Sequence, residues 1–543
     1  MSATLAVSVI GVDDVLCVLR SPMGRRLKMT GSLAQSKPSA IEGDEAMTAN
    51  QAMVNNAWAY AKHSIASLNA EEPDDEKNQA AQAAVHEQIA KEISGFVDRL
   101  NGEVLADRWC SGCFAKTTHG AITLRRRLPT YLCTACGSPT RVCPAPRCRN
   151  MAVRGPGSVK LPKYCAEHRH ELPSFERAKD TIASPDRYEE ILEFDKPNLA
   201  RHTRLVTFGL LGGAVLGPVA YAAAPALGGL IGVKVGGLYG AAASSWGLAA
   251  LGGGAVGSGG IALGVAGGTA VITAVGASLG GAFGASVINA YVSDDKSFGI
   301  ELFRDGPGTP VLIARGFLTQ NAQDWRAAVQ MAEVRYPDSP IYLVRWGSKE
   351  LQGIARYAAG GVGFGGGGAV AGAAGAMANK AAAALVGPVG WAMAGVGLMK
   401  NPWHAAAVRA DKTGAALAGI LARTEVDEVI LIGHSLGGRA MITAAETLGT
   451  TDDGPAVGAV HLVGAARGRN GDWRQLSSSV HGTVHNYYSS NDKVLKILFK
   501  TAMAGSTAVG AAGFGSSYPN ILDYDVTADV AGHSDYFDGV DLV

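Results

Sequence analysis

The chain has 543 residues, too many for one ordinary domain, with 17% charged residues and a formal net charge of +1. A balance this close to neutral excludes a protein whose affinity rests on global charge, whether for nucleic acid or for acidic partners. The 72 glycines, about twice ordinary usage, come with 47% hydrophobic residues, so they belong to apolar segments and not to a polar disordered linker.

The first residues have no positive region, and Asp13 and Asp14 interrupt their apolar stretch. No secretory signal is read, and this end is expected in the cytosol. TLAVSVIGV and VLCVLRS flank the acidic corner and predict a β-hairpin within residues 3–32, with Cys17 as a buried packing residue. From residue 46 to about 107 the pattern is helical, broken by EEPDDE at 71–76. His63 and His86 lie on these helices with no second ligand beside either, so both read as ordinary surface or core histidines. Residues 1–107 are therefore taken as a hairpin and helical region.

Seven of the eight cysteines fall within 108–172. Cys110-x-x-Cys113, nineteen residues, then Cys133-x-x-Cys136 is the spacing of a zinc ribbon with four thiolates. Cys143-x4-Cys148 and Cys165-x-x-His168 offer three thiolates and an imidazole for a second tetrahedral ion, with His119 and His170 as spare candidates. In a chain without a secretory signal such pairs favour metal over disulfides. About two zinc ions are expected, both structural, because four protein ligands leave no open position for catalysis. Arg125, Arg126, Arg127, Arg147 and Arg149 read as a solvated basic loop. Aromatic residues are not interleaved there as a stacking platform, so nucleic acid is not the expected partner.

After a linker at 173–204, residues 205–293 carry a single charge, Lys234. The uncharged runs 205–233 and 235–293 are long enough to span a bilayer, up to about four times in all at about 20 residues per span. G-x-x-x-G spacings at Gly253/Gly257, Gly264/Gly268 and Gly276/Gly280 would let helix backbones pack closely in lipid. A second Gly/Ala-rich stretch, 358–399, interrupts the region that follows.

Residues 294–543 alternate strand and helix. Apolar strands are predicted at 309–318 and 339–348 with a helix between, then at 429–432, 456–466, 483–495 and 520–537, as in a doubly wound parallel sheet. The apolar run VILI stops at Gly433-His434-Ser435-Leu436-Gly437 and continues as the helical pattern GGRAMITAAETL. This is a strand, a sharp turn and a helix with a serine at the apex, matching the G-x-S-x-G nucleophile elbow.

GHSLGG after an apolar strand resembles the lipase and esterase branch of the α/β-hydrolase superfamily. With the histidine loop GHSDY and NPWHAAAVRADKTGAALAGIL before the elbow strand, the layout also resembles the transmembrane and coiled-coil domain family of lipase-like proteins, with an added zinc region. The resemblance implies the α/β-hydrolase fold and a triad in the order Ser, acid, His. It points to Ser435, Asp492 and His533, with Asp523 or Asp525 as rival acids and His481 or His485 as rival bases. The oxyanion would be held by the backbone N–H groups of Leu436 and Phe317, the latter after Arg315-Gly316 where lipases often carry a histidine before the glycine. His434 is taken as support for the elbow, and Arg439 as a helix-face residue.

The expected function is cleavage of a carboxylic ester, that of a lipid for preference, at a membrane, with the zinc region and the hydrolase both on the cytosolic side. A cytoplasmic protein is the alternative location. Two other classes stay open: a membrane scaffold or pore with an inert hydrolase domain, and a zinc module that binds a protein partner.

Overall fold

In the computed structural model the described residues are 2–11, 14–33, 37–70, 73–112, 115–123, 129–153, 164–177, 180–199, 288, 292, 295–316, 325–347, 402–449, 454–470, 473–503, 505–515 and 518–543. Apart from Ile288 and Val292, the Gly/Ala-rich segment expected at 205–293 lies outside them, as do the insert 358–399, Cys113 and Phe317. The chain divides into two units, Met1–Lys179 with Ile191–Ala290, and Asp180–Glu190 with Tyr291–Val543.

In the first unit the hairpin grows into a four-stranded antiparallel sheet of β1 (Thr4–Val9), β2 (Asp14–Arg20), β3 (Arg26–Ser32) and β4 (Ala40–Gly43). Alternation along DVLCVLR turns Val15, Cys17 and Leu19 inward. Cys17 is a packing residue as expected, and burial pushes its thiol up to about 12. A short helix, α1 (Glu45–Thr48), leads into α2 (Gln51–Leu68) and α3 (Pro73–Val97). The side chain of Asn50 accepts from the Met53 N–H at 3.1 Å, satisfying a donor that the start of α2 would otherwise leave open. Met53, Ala57, Ala61 and Ile65 recur on one face and join Cys17 and Met29 in the core. His63 and His86 stack with ring centroids 5.4 Å apart, and burial next to His63 lowers His86 to about 3.

The helical pattern expected to reach about residue 107 ends at Val97, and β5 (Leu100–Trp109) follows. Pairing decides this: Leu100 lies opposite Ile122, and Trp109 opposite Lys116, on β6 (Lys116–Ile122). With β7 (Thr130–Cys133), β8 (Pro139–Val142) and β9 (Met151–Val153), these strands make a five-stranded antiparallel sheet whose turns carry the cysteines.

The second unit is built on seven strands: β10 (Gly299–Arg304), β11 (Val311–Ala314), β12 (Ile341–Arg345), β13 (Glu428–His434), β14 (Ala456–Val463), β15 (Val480–Tyr488) and β16 (Ile521–Asp525). Their order is β10-β12-β11-β13-β14-β15-β16, all parallel except β10, which runs antiparallel to β12. β10 was not foreseen from the sequence. The central strands VLIA and EVILIGH are buried almost throughout, as strands covered on both faces must be. Between them lie α4 (Trp325–Arg335), α5 (Pro402–Leu421) and α6 (Leu436–Leu448). Residues 180–190, within the expected linker, belong to this unit: Ile182 bridges to Thr424, and Tyr188 packs edge-on against Phe298.

The connection from β11 goes to β12 on one side, and the next goes from β12 to β13 on the other side of β11. The direction of winding therefore reverses between β11 and β13, where open sheets of this kind leave a crevice at the carboxyl ends of the strands.

Candidate active site and metal-binding clusters

Ser435 sits at that reversal, between β13 and α6, with φ 58° and ψ −125°. A positive φ is unusual for serine and holds the residue in a strained turn. The flanking glycines make it possible. A Cβ on Gly433 would come 2.5 Å from Gly438 Cα, and one on Gly437 would come 2.2 Å from the Ala314 carbonyl oxygen. The Gly438 N–H donates to Ser435 O at 3.1 Å and the Ala466 N–H donates to it at 2.9 Å, fixing the turn from both sides.

The loops after β15 and β16 bring the acid and the base to this serine. Asp492 Oδ2 is 2.6 Å from His533 Nδ1, and His533 Nε2 is 2.9 Å from Ser435 Oγ. All three residues are buried. Because the carboxylate accepts, Nδ1 carries the proton, and Nε2 is left as the acceptor for the serine hydroxyl. The other carboxylate oxygen, Oδ1, accepts from the Leu495 N–H at 3.0 Å. The Tyr536 hydroxyl lies 3.0 Å from the Gly510 carbonyl and 3.3 Å from Asp492 Oδ2. Burial and the neighbouring Asp492 push its pKa up, which keeps it a donor. Tyr536 closes the GHSDY stretch, but the sequence assigned it no role.

The rivals are placed elsewhere. Asp523 accepts from Asn486 Nδ2 at 2.7 Å and from the Phe514 N–H at 2.9 Å. Asp525 caps a turn through the Thr527 N–H at 3.0 Å. His485 stacks on His461 and Tyr524. His434 supports the site through the base: its Nε2 donates to the His533 carbonyl at 2.9 Å. Burial, then His533 and Arg315, hold its pKa well below the usual imidazole value, so the ring stays neutral.

Of the two expected oxyanion donors, Leu436 begins α6 directly after the serine, and Phe317 lies outside the described residues. Gly316 packs directly against the elbow: a Cβ there would come 2.5 Å from Leu436 N and 2.9 Å from Ser435 Cβ. Arg315 lays its guanidinium 4.5 Å from the Phe537 ring centroid.

Arg439 lies on α6, as expected of a helix-face residue. It is buried and grips Asp411 of α5 with two hydrogen bonds, Nε to Oδ1 at 2.8 Å and Nη2 to Oδ2 at 2.7 Å. Thr443 and Arg467 add contacts to Oδ1, each at 3.2 Å. Burial alone would raise the Asp411 carboxyl, but the guanidinium charges of Arg439 and Arg467 outweigh it and hold the group below the usual carboxylate range. α5 and α6 are thereby locked together behind the elbow.

In the first unit, Cys143, Cys148, Cys165 and His168 bring their ligand atoms within 4.8 Å of one another, and so do Cys110, Cys133 and Cys136. Either cluster is close enough to hold a metal ion. Cys113 lies outside the described residues, one position beyond Gly112. Backbone N–H groups point at the sulfurs: Gly112 to Cys110 at 3.3 Å, Cys136 to Cys133 at 3.5 Å, and Cys165 to Cys143 at 3.3 Å. Gly137 takes φ 65° to turn the chain back after Cys136. Of the spare candidates, His119 is buried with Nδ1 at 3.2 Å from the Thr117 carbonyl, and His170 Nε2 donates to the Lys196 carbonyl at 2.7 Å. Neither joins a cluster.

Residues 199–543 match the family profile described as protein of unknown function, DUF726. The chain is similar to an uncharacterized membrane protein of Caenorhabditis elegans, 25% identical over 384 residues, which is 67% of this chain and 58% of that protein. It is also similar to an uncharacterized membrane protein of Schizosaccharomyces pombe, 30% identical over 149 residues, 27% of this chain and 19% of that protein. The chain thus spans less than two thirds of the length of these curated relatives. No solved structure matches it. Among the described residues, no helix is long and apolar enough to cross a membrane.

Proposed function

From the premise that this chain belongs to the DUF726 family of proteins of unknown function, we propose that it is a serine hydrolase that cleaves a carboxylic ester through an acyl-enzyme. The observation that carries the reading is the continuous relay from Asp492 through His533 to Ser435, at 2.6 and 2.9 Å, on a strained strand-to-helix turn. The strand order, with one antiparallel strand at the edge and the serine, acid and histidine following β13, β15 and β16, supports an α/β-hydrolase fold.

A serine hydroxyl is a weak nucleophile. As Ser435 Oγ attacks the ester carbonyl, His533 Nε2 takes its proton, and Asp492 holds the ring in the required tautomer and stabilises the imidazolium. The oxyanion that forms is met by the Leu436 N–H at the positive end of α6. His533 then returns the proton to the leaving alkoxide. Water, deprotonated by the same ring, releases the acyl group.

A lipid ester is the substrate class we favour. The relatives are named membrane proteins, and segment 205–293, whose single charge is Lys234, is long enough to place the hydrolase beside a bilayer.

The two clusters are read as structural zinc sites. Sulfurs 3.8 Å apart (Cys148 and Cys165) and 3.9 Å apart (Cys110 and Cys136) are far beyond a disulfide bond of about 2.05 Å. They match the edge of a zinc–thiolate tetrahedron, about 3.8 Å for Zn–S bonds of about 2.3 Å. His168 Nδ1, 3.2 Å from Cys165 and 3.8 Å from Cys143, fits the remaining corner.

The test is labelling of the full-length chain with a serine-directed fluorophosphonate, together with turnover of a short soluble ester. Ser435 is expected to carry the label, and Ser435→Ala to abolish both labelling and turnover. Unchanged turnover in that variant would end the enzyme reading.

A further inference from the structure

We propose that the two Cys/His clusters take up metal as one cooperative unit, coupled through Ser111 and the chain at Asn150 and Met151. The proposal rests on the zinc reading above. Ser111 directly follows Cys110 of the first cluster. Its Oγ accepts from the Ala166 N–H at 2.9 Å, and Ala166 lies between Cys165 and His168 of the second. Ser111 N donates to the Met151 carbonyl at 2.8 Å, and Cys110 forms a β-bridge with Met151. One residue earlier, the Asn150 carbonyl accepts from the Cys143 N–H at 2.8 Å. The Asn150 side chain donates to Glu167 Oε2 at 2.9 Å and lies 3.9 Å from Cys165 Sγ. Glu167, itself buried, also accepts from the Phe175 N–H at 2.8 Å and pairs with Lys196.

Ser111, Met151 and Ala166 are fully buried, so these polar groups pair with one another in place of water. A metal that closes the first cluster fixes the backbone at Cys110 and Ser111. This presents Ser111 Oγ to Ala166, and Met151 and Asn150 to the second cluster. Closing the second cluster first does the same in reverse. The ordering of the shared segment is required once, by whichever ion arrives first, and the second ion binds more tightly for it. Such coupling is reciprocal by linkage.

The experiment uses the full-length chain, reduced and stripped of metal, titrated with zinc and counted by native mass spectrometry. At one zinc per chain, two equal and independent sites would leave about half the molecules singly loaded, whereas tenfold coupling leaves about a quarter. That factor corresponds to about 1.4 kcal/mol. We expect a quarter or less in the wild-type protein, a return towards half in Ser111→Ala, and two ions at saturation in both. Extraction by a chelator should release both ions of the wild-type protein in one kinetic phase, a measurement that holds whether or not Ser111→Ala folds. Two ions loading with half or more singly filled would leave the zinc reading standing and overturn the coupling. A chain that takes up no zinc would overturn both.

Discussion

Replacing Asp492 with asparagine tests the relay at its most constrained point. The two carboxylate oxygens have different partners: Oδ1 accepts from the Leu495 N–H at 3.0 Å, and Oδ2 accepts from His533 Nδ1 at 2.6 Å. An asparagine amide has one oxygen and one NH₂ group. The fixed backbone donor of Leu495 requires the oxygen, so the NH₂ must face His533. Nδ1 then has to accept, and the ring carries its proton on Nε2, pointing at Ser435 Oγ. In that tautomer it cannot take the serine proton. The volume hardly changes, so folding should be preserved. The loss is expected in kcat, on the order of 10⁴-fold as in serine enzymes held in the wrong tautomer, or about 5.5 kcal/mol of barrier. The assay is kcat and KM on a soluble chromogenic ester across pH, with the rate of fluorophosphonate labelling measured in parallel. Both rates should fall while KM stays close to the wild-type value. A variant within tenfold of wild-type kcat would refute the argument from tautomer and orientation.

Gly316→Ala would push a methyl to 2.5 Å from Leu436 N, so we expect at least a hundredfold loss of kcat and a destabilisation of about 1–3 kcal/mol, read from ester turnover and urea unfolding. Arg439→Ala removes the bidentate partner of the buried Asp411 carboxylate, leaving it to Arg467 and Thr443, and should cost about 3 kcal/mol; a denaturation midpoint equal to wild type would show that the ion pair does not brace α5 on α6. His86 has a folded pKa of about 3, below its unfolded value of about 6.5, so the unfolded chain binds the extra proton between these limits. Its contribution is complete above pH about 6.5 and is lost as pH falls towards 3, by about 2 kcal/mol at pH 5. His86→Gln should flatten the pH dependence of stability in that window, and an unchanged slope by calorimetry would count against the buried neutral ring.

The elbow was legible because its chemistry is local. A glycine on either side of Ser435 at fixed spacing, an apolar strand before and a helical pattern after are all properties of neighbouring residues, and the turn they imply is the one found. The cysteine pairs were legible for the same reason: a thiolate pair two residues apart acts within one turn of chain. The sequence also ordered Asp492 and His533 behind the serine, and the alternating pattern set out a parallel sheet. It did not disclose β10, whose short run GIELFR buries Ile300 but leaves Leu302 and Phe303 exposed, and which gains its identity by pairing with β12. Nor could it show that helix gives way to β5 at Leu100, since a largely exposed strand carries little periodicity of its own.

What only the tertiary structure decided are the relations between residues far apart in the chain. Of the three, Asp492 is the one that reaches His533, while Asp523 is held by the Asn486 side chain and the Phe514 N–H, and Asp525 by the Thr527 N–H of its own turn. Arg439 was legible as a helix residue, but its burial against Asp411, 28 positions away, comes from the packing of α5 onto α6. The link from Ser111 to Ala166 across 55 positions has no trace in the pattern of either segment. Local sequence sets backbone conformation and the residue types available for chemistry. Which buried polar groups meet is set by the need to satisfy each of them once water is excluded, and that depends on every element packed around them.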